Sequence, residues 1–353
     1  MKKIKFGFLF TASIGHLCLE ADMAAIKKNT EKTFTLWSRV PDIANISIYE
    51  LIKKEFKFVE GFPFNLILKL FVRITRRNSF NANAQVNNFT THLQDNSEIN
   101  FPIPTQWNVD FEMLKRNMNM ELTKYVCLIV RDNLHTKTYV GNKQSFETSY
   151  RNSEIDSYKI AIDKLISNGY EVIRMGRLAY KASFKQKAFF DYANSPYRTD
   201  RNDLILIAKC NFVVSTQSGL DEIANLYRKP VYVVNHLPIG DIRCSELRPY
   251  YFLKRLKDKK TNCYLSIDEI YKRGLLHANN SKFYLDKGVE EENLSSMDLA
   301  KAMDEILLIH RNNKKAKCQS NLSISIAEYS KVPENLMYKF PYVSELWIKS
   351  LNE

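Results

Sequence analysis

Residues 212–235 read FVVSTQSGLDEIANLYRKPVYVVN, and this stretch decides the fold class. An apolar strand over 211–215 runs into a polar turn, Thr216-Gln217-Ser218-Gly219. A helical pattern over 219–227 starts at once, and Pro230 opens a second apolar strand over 230–234. Strand, turn, short helix and strand in immediate succession make the unit of a parallel sheet with crossover helices. The same unit recurs upstream. A strand over 125–130 precedes a helix over 156–166, whose apolar positions are Ile160, Ile162, Leu165 and Ile166. Asn168-Gly169 closes that helix, as glycine does just past a C-terminus. A strand over 170–175 follows, and 204–208 reads as a helix or a short strand. The fold class expected is α/β, with a doubly wound parallel sheet.

The N-terminal part carries a smaller version of this pattern. A nearly continuous apolar strand over 4–10 ends in Thr11-Ala12-Ser13-Ile14-Gly15-His16. A helix over 17–28, a strand over 33–37 and a short strand over 46–48 come next. Residues 78–122 are Asn-rich and weakly periodic, with Pro102 and Pro104, and read as loops leading to a junction near 105–124. The expectation is two Rossmann-like domains, 1–122 and 123–333, with 334–353 packing back across the junction. No internal repeat or low-complexity tract is visible.

Composition narrows the class. In 353 residues, 45% hydrophobic and 26% charged, there is material for two ordinary domains with a sizeable core. Ten glycines and ten prolines are too few for a linker-rich chain. Apolar runs fall short of the ~18 residues of a membrane span, and MKKIKFGFLFTAS reads as a first strand rather than a signal peptide. A cytoplasmic protein is expected. The net charge of +13 is spread along the chain and favours polyanions, whether nucleic acid, anionic lipid or phosphorylated small molecules. The six cysteines, Cys18, Cys127, Cys210, Cys244, Cys263 and Cys318, show no CxxC spacing, and no zinc site is expected.

Three features could carry chemistry. At the Ser218-Gly219 turn, a helix N-terminus follows a buried strand, where unpaired N–H groups favour a phosphate. Gly219 would admit a diphosphate close to the backbone, and Thr216 and Ser218 would offer hydroxyls. The alternative is that Ser218 is an N-cap and Gly219 a tight turn. Arg131-Asp132 leaves the strand over 125–130, and Arg174-Met175-Gly176 repeats the arrangement at the next strand end. An arginine there can fork onto a diphosphate or serve an internal ion pair. The third is the run from Phe62 to Arg77. As a helix it sets Lys69, Arg73, Arg76 and Arg77 against Ile67, Leu68, Phe71 and Ile74, which suits either an anionic membrane surface or a core with solvated lysine and arginine. No Asp-x-Asp triplet occurs. Asp200 and Asp203 read as members of a polar loop, so no metal and no cofactor are called for.

Several of these segments, taken in order, resemble a family of bacterial glycosyltransferases associated with surface-polysaccharide synthesis. The segments are Arg151-Asn152-Ser153-Glu154-Ile155-Asp156-Ser157-Tyr158, 169–176, Asp191-Tyr192-Ala193-Asn194-Ser195, Ser218-Gly219-Leu220 and 230–235. The resemblance covers about residues 125–240. It implies a GT-B-like fold, with a nucleotide-sugar cleft between two Rossmann-like domains. Ser218-Gly219-Leu220 with Ala224 and Pro230 is similar to the donor segment of heptosyltransferases. Arg131 resembles the diphosphate-binding arginine of fucosyltransferases, although the glycine that often intervenes before the acid is missing here. The donor side implied comprises Arg131, Arg174, Gly176, Thr216, Ser218, Gly219, Leu220 and Asn235. The loop of His16 is similar to one that places a general base in inverting GT-B enzymes, and imidazole suits that task at neutral pH. Glu20 could orient His16 or act itself, and Asp132 is a further candidate acid.

The partners implied are a nucleotide-sugar donor and a glycan or lipid-linked acceptor, with the chain peripheral to the inner membrane. Two rivals remain. A non-hydrolysing nucleotide-sugar epimerase would use a similar Ser-Gly turn with Asp221-Glu222. A nucleic-acid-binding protein would use the charge, but no helix-turn-helix, zinc-finger, RRM or KH pattern occurs, so no nucleic-acid partner is expected.

Overall fold

The computed structural model describes residues 4–30, 34–39, 42–58, 67, 79–81, 90–95, 97–312 and 320–346. Its first sheet is parallel, in the order β3-β2-β1-β4, with β1 at Ile4–Leu9, β2 at Phe34–Arg39, β3 at Lys57–Phe58 and β4 at Ser79–Asn81. Helix α1, Ile14–Thr30, connects β1 to β2 and buries Leu17, Cys18, Ala21, Ala24 and Ala25. The short strand expected over 46–48 is instead the start of α2, Ile46–Glu55. Asn45 decides this, because its side chain accepts from the Ile48 N–H at 2.9 Å and caps the helix. The basic run from Phe62 to Arg77 lies outside the described residues apart from Ile67.

The larger sheet has seven parallel strands in the order β13-β10-β9-β8-β5-β6-β7. Their spans are β5 Tyr125–Ile129, β6 Glu171–Met175, β7 Phe189–Phe190, β8 Phe212–Ser215, β9 Val231–His236, β10 Tyr250–Leu253 and β13 Tyr342–Val343. A short antiparallel ribbon, β11 Arg255–Asp258 with β12 Val289–Glu292, hangs from its end. Side chains alternate across the sheet, as strand geometry requires. Tyr125, Cys127 and Ile129 pack on the face covered by helix Asp200–Lys209, whereas Val126 and Leu128 face helices Lys159–Ser167 and Ser296–Asn312. Because both faces are covered, the strands read as continuous apolar runs.

Other sequence expectations are revised. The segment 78–122 is not all loop, since it holds β4 and the helix Asn108–Met118. Asp200 and Asp203 are not in a solvated loop. They form the first turn of helix Asp200–Lys209, capped by Thr199, where acidic groups meet the positive end of the helix dipole. Asp203 is buried and bonded to Arg198 at 2.6 Å. The helix expected over 219–227 is a one-turn 3-10 segment, Gly219–Asp221, running into Glu222–Leu226. Cys18, Cys127, Cys210 and Cys244 are buried thiols and Cys263 is an exposed one. Among the described residues, no helix is long and apolar enough to cross a membrane.

Among the contacts that join the two sheets, two lie along α1. The first residues of α1 lie on the turn after β8, so closely that a Cβ on Gly15 would sit 3.0 Å from Gly219 Cα and one on Gly219 3.1 Å from Gly15 N. Only two bare backbones fit there. Further along α1, the fully buried Asp22 carboxylate takes Arg228 at 2.7 and 3.1 Å, Gln94 at 2.7 Å and Asn100 at 2.8 Å. Breaking a buried ion pair by removing one partner strands the other, at a cost of about 3 kcal/mol or more. Asp22→Ala should therefore destabilise the protein by about that amount in urea unfolding. A loss below about 0.5 kcal/mol would show that the pair is not a fastening.

Candidate functional site

The order of the large sheet reverses between β5 and β8, and ligands of doubly wound sheets gather outside the carboxyl ends at such a point. Here the two exits are tied together. The Arg131 N–H donates to Thr216 Oγ1 at 2.9 Å, and the Thr216 N–H to the Ile129 carbonyl at 3.0 Å. The Arg131 guanidinium turns to the β6 side. It donates to the Thr148 carbonyl at 3.0 Å, to Thr148 Oγ1 at 2.9 Å and to Asn152 Oδ1. All of these acceptors are neutral. Arg151 is beside it, its guanidinium 5.7 Å from the Tyr150 ring and its Nε buried without a hydrogen-bond partner. Burial first, then the charge of Arg151, pushes the Arg131 guanidinium down to about 10. Lys254, on the turn between β10 and β11, donates to the Asn152 carbonyl at 2.7 Å. Burial holds its ammonium down at about 7; Glu291 raises it and Arg131 lowers it further. Three cations thus crowd around Asn152.

Against this cluster lies a cavity of about 510 Å³, lined by Asp132, Asn133, Asn152, Ser153, Glu154, Asp156, Tyr180 and Lys181 among others. Asp132 shapes one wall. Its Oδ1 accepts from the Leu134 N–H at 2.9 Å, and its Oδ2 accepts from the Tyr180 N–H at 2.9 Å and from Arg174 at 3.4 Å. Asp156 accepts from the Ser183 N–H at 2.9 Å. Tyr180 is 48% exposed at the rim. The lining therefore carries three carboxylates to one ammonium, together with amides, a hydroxyl and a phenol. Such a surface repels an anion and offers bidentate hydrogen bonding to neutral hydroxyls.

The remaining sequence candidates separate into three places. Arg174 is fully buried, bonded to the Tyr180 carbonyl at 2.5 Å and to Asp132 and Asp191 at 3.4 Å, with Gly176 at the strand exit behind it. Burial lowers its pKa, while the two carboxylates raise it. Asn235 is buried with its side chain fully used. It donates to Ser153 Oγ and Tyr158 Oη at 3.0 Å each and accepts from the Leu294 N–H at 2.7 Å. The third place is the meeting of Gly15 with the Ser218-Gly219-Leu220 turn. Ser218 Oγ accepts from the Leu220 N–H at 3.1 Å, and Asp221 returns the bond to the Ser218 N–H at 3.1 Å. This is a capping box. His16, in the first turn of α1, is 53% exposed in its side chain, and its Nδ1 is 3.1 Å from Oε1 of the buried Glu20. Glu20 Oε2 accepts from the Phe10 N–H at 2.9 Å, so the carboxylate is fixed by backbone. An ionised carboxylate only accepts, which puts the proton on Nδ1 and makes Nε2 the basic nitrogen.

Arg151 and Lys254 were missed as site residues by sequence reasoning. Lys254 carries the signal that singled out Arg131, because it follows the apolar run Tyr250–Leu253 directly, a cation at the end of a buried strand. Arg151 sits in a loop, and only the fold brings it to the strand exit. Among the described residues, no three His, Cys, Asp or Glu side chains form a metal-binding group.

No protein-family model and no curated protein matches the chain. Among solved structures it is similar to a glycosyl transferase family 9 protein from Veillonella parvula, at 10% identity and TM-score 0.44, over 87% of this chain and 98% of that one. It is similar to the E. coli ADP-heptose LPS heptosyltransferase II at 12% identity and TM-score 0.43, over 87% and 99%. The iron-containing dodecameric heptosyltransferase TibC of enterotoxigenic E. coli, solved in complex with ADP-D-β-D-heptose, aligns at 14% identity and TM-score 0.35. That match spans 70% of this chain and 62% of TibC. At TM-scores below 0.5 such likeness decides neither fold nor chemistry, which follow from the chain's own residues.

Lys254 gives the site a titration signature. An ammonium held down at about 7 in the fold, against an ordinary value near 10.4, binds its proton more weakly folded than unfolded. Its contribution to stability is therefore complete above about pH 10, falls progressively with pH and is fully lost once the pH drops through about 7. The stability of wild type relative to Lys254→Met, followed by urea unfolding between pH 6 and pH 10, should rise with pH with a slope approaching one proton. A flat difference would mean that the amine is not desolvated.

Proposed function

We propose that the chain is a metal-independent glycosyltransferase of GT-B type that moves a sugar from a nucleotide-diphosphate sugar to a glycan or lipid-linked acceptor in surface-polysaccharide assembly. The observation that carries this reading is the pair Arg131–Arg151. Two guanidinium groups in mutual range, bonded at most to neutral acceptors, stand at the switch point of a doubly wound sheet. A diphosphate supplies the missing negative charge, and bidentate arginine contacts suit it. The carboxylate- and amide-lined cavity alongside suits the hydroxyl-bearing ring of the same donor. In this reading Arg174 touches no ligand. It braces Asp132, and Asn235 braces Ser153, so both act on the cavity from behind.

The step derived from these residues is an acyl-free displacement at the anomeric carbon. The bond from that carbon to the diphosphate oxygen breaks and its electron pair leaves with the diphosphate, which Arg131 and Arg151 neutralise. The acceptor oxygen forms the new bond, and its proton goes to Nε2 of His16, whose ring is oriented by Glu20. His16 reaches the donor side through a short chain of contacts, from Gly15 to Gly219, along the turn to Thr216, and from Thr216 to Arg131. Asp132 remains an acid of the cavity wall in this scheme. Should the sugar keep its configuration, His16 contacts the acceptor without taking the proton.

The epimerase reading has less support. Its acids, Asp221 and Glu222, are buried and taken up by Arg248 at 3.1 and 3.0 Å, and Glu222 also by Arg243. Arg248 holds the Asp221 carboxyl below its usual range despite the opposing effect of burial. Such acids are unsuited to passing a proton.

Calorimetric titration with UDP, GDP, ADP, CMP and dTDP, with EDTA present, tests the reading. One nucleoside diphosphate should bind selectively, and Arg131→Ala should weaken it about tenfold or more, a loss near 1.4 kcal/mol. His16→Ala should leave that affinity intact and abolish transfer. Absence of binding by every diphosphate, or unchanged affinity in Arg131→Ala, would overturn the placement.

A further inference from the structure

A second histidine–carboxylate pair stands on the carboxyl edge of the large sheet. Beyond β9 the chain makes the 3-10 turn Ile239–Asp241, and the Gly240 N–H donates to the Leu276 carbonyl at 2.7 Å. The ring of His277 lies directly over Gly240. A Cβ on residue 240 would stand 2.5 Å from His277 Cε1 and 2.7 Å from Nδ1, so only a bare backbone admits the imidazole. His277 Nδ1 is 3.0 Å from Oδ1 of Asp241, with side-chain exposures of 54% and 38%. Among the described residues, Nε2 of His277 has no hydrogen-bond partner. The arrangement matches that of His16 with Glu20: Nδ1 held by a carboxylate and half the ring in solvent.

The segment bearing His277 is stitched to the loop that holds the arginines. Tyr284 Oη donates to the Ala278 carbonyl at 2.7 Å, and Ser281 Oγ accepts from the Tyr150 N–H at 2.8 Å and meets Ser149 Oγ at 2.9 Å. The next residue back, Thr148, is the one that takes the Arg131 guanidinium. The rings of Tyr150 and Tyr284 are 5.8 Å apart. The Tyr150 phenol, raised chiefly by burial, lies within electrostatic range of Arg151, Asp241 and Arg131, and the Arg151 guanidinium is 5.7 Å from its ring. A purely structural role explains little. An exposed ion pair contributes about 0–1 kcal/mol, and the Gly240–Leu276 backbone bond already joins the two segments.

We propose that His277, oriented by Asp241, contacts the diphosphate held by Arg131 and Arg151. In the imidazolium form both ring nitrogens donate, Nδ1 to Asp241 and Nε2 to a phosphate oxygen. The charge that gathers on that oxygen as the glycosidic bond breaks is then met by the Nε2–H donor. The inference rests on the glycosyltransferase reading and adds a further contact to the leaving group that Arg131 and Arg151 hold.

Calorimetry with inorganic pyrophosphate, and with whichever nucleoside diphosphate binds wild type, tests this on the full chain. His277→Ala and Asp241→Asn are compared with Arg131→Ala, and melting temperatures are followed in parallel. His277→Ala should weaken both ligands about tenfold with little change in melting temperature. His277→Gln, whose carboxamide N–H still donates, should recover most of the affinity, and the matching nucleoside without phosphates should bind all variants alike. Wild-type affinity in His277→Ala, while Arg131→Ala loses the ligand, would overturn this inference alone. So would a loss of affinity that His277→Gln does not restore. Failure of wild type to bind pyrophosphate and every nucleoside diphosphate would instead overturn the donor reading itself.

Discussion

Gly15 and Gly219 meet backbone to backbone, and the rest of the arrangement depends on that contact. A helix brings its first turn onto the turn of another sheet only where neither chain carries a side chain, because packed interiors leave no room for an added methyl. This meeting sets His16 beside the turn that leads, through Thr216, to Arg131. Asp22 and Arg228 then fasten the same helix further along, at a point where misregister would strand a charge. Proximity of the two strand exits thus follows from sterics, and its persistence from a buried ion pair.

The electrostatic character of the site follows from where charge is cancelled. Under Asp132 the guanidinium of Arg174 has carboxylates on either side. At Glu222 and Asp221 two further arginines are likewise matched. Around Asn152, by contrast, Arg131 and Lys254 donate to neutral oxygens. Cations that meet neutral oxygens rather than carboxylates concentrate positive potential there. The negative lining of the adjoining cavity sharpens the contrast over a few ångströms, so a ligand with an anionic end and a hydroxylated end has one favoured orientation.

Much of this was legible in the sequence, because buried parallel strands write themselves as apolar runs and their exits as the first polar residues after them. Arg131 and Thr216 stand at strand exits that could be read in that way, whereas Ser218 is the N-cap of the following turn, the alternative reading given for it. What the sequence did not show was direction. Arg131 and Arg174 occupy equivalent places at neighbouring strands, yet one reaches neutral acceptors beside the cavity and the other is buried between two acids. Neither Asp132 nor Asp191 is near Arg174 in a way that spacing reveals. The 46–48 segment misled because Ile-Ser-Ile has strand-like alternation, and the deciding group, the Asn45 side chain, acts one residue before it. Asp200 and Asp203 looked like a polar loop because acidic residues favour both loops and the first turns of helices.

The strand β13 has a consequence for synthesis of the chain. It pairs with β10 at the edge of the seven-stranded sheet, and Lys339 just before it reaches Asp95 at 3.0 Å. While a ribosome is still making residues 254–341, the edge of β10 has its hydrogen-bonding groups unpaired and open to other nascent chains. The strand of two residues that covers this edge is made after every other strand of the described residues. A polysome would then carry many sticky edges at once, each covered only when Tyr342–Val343 emerges and pairs with β10.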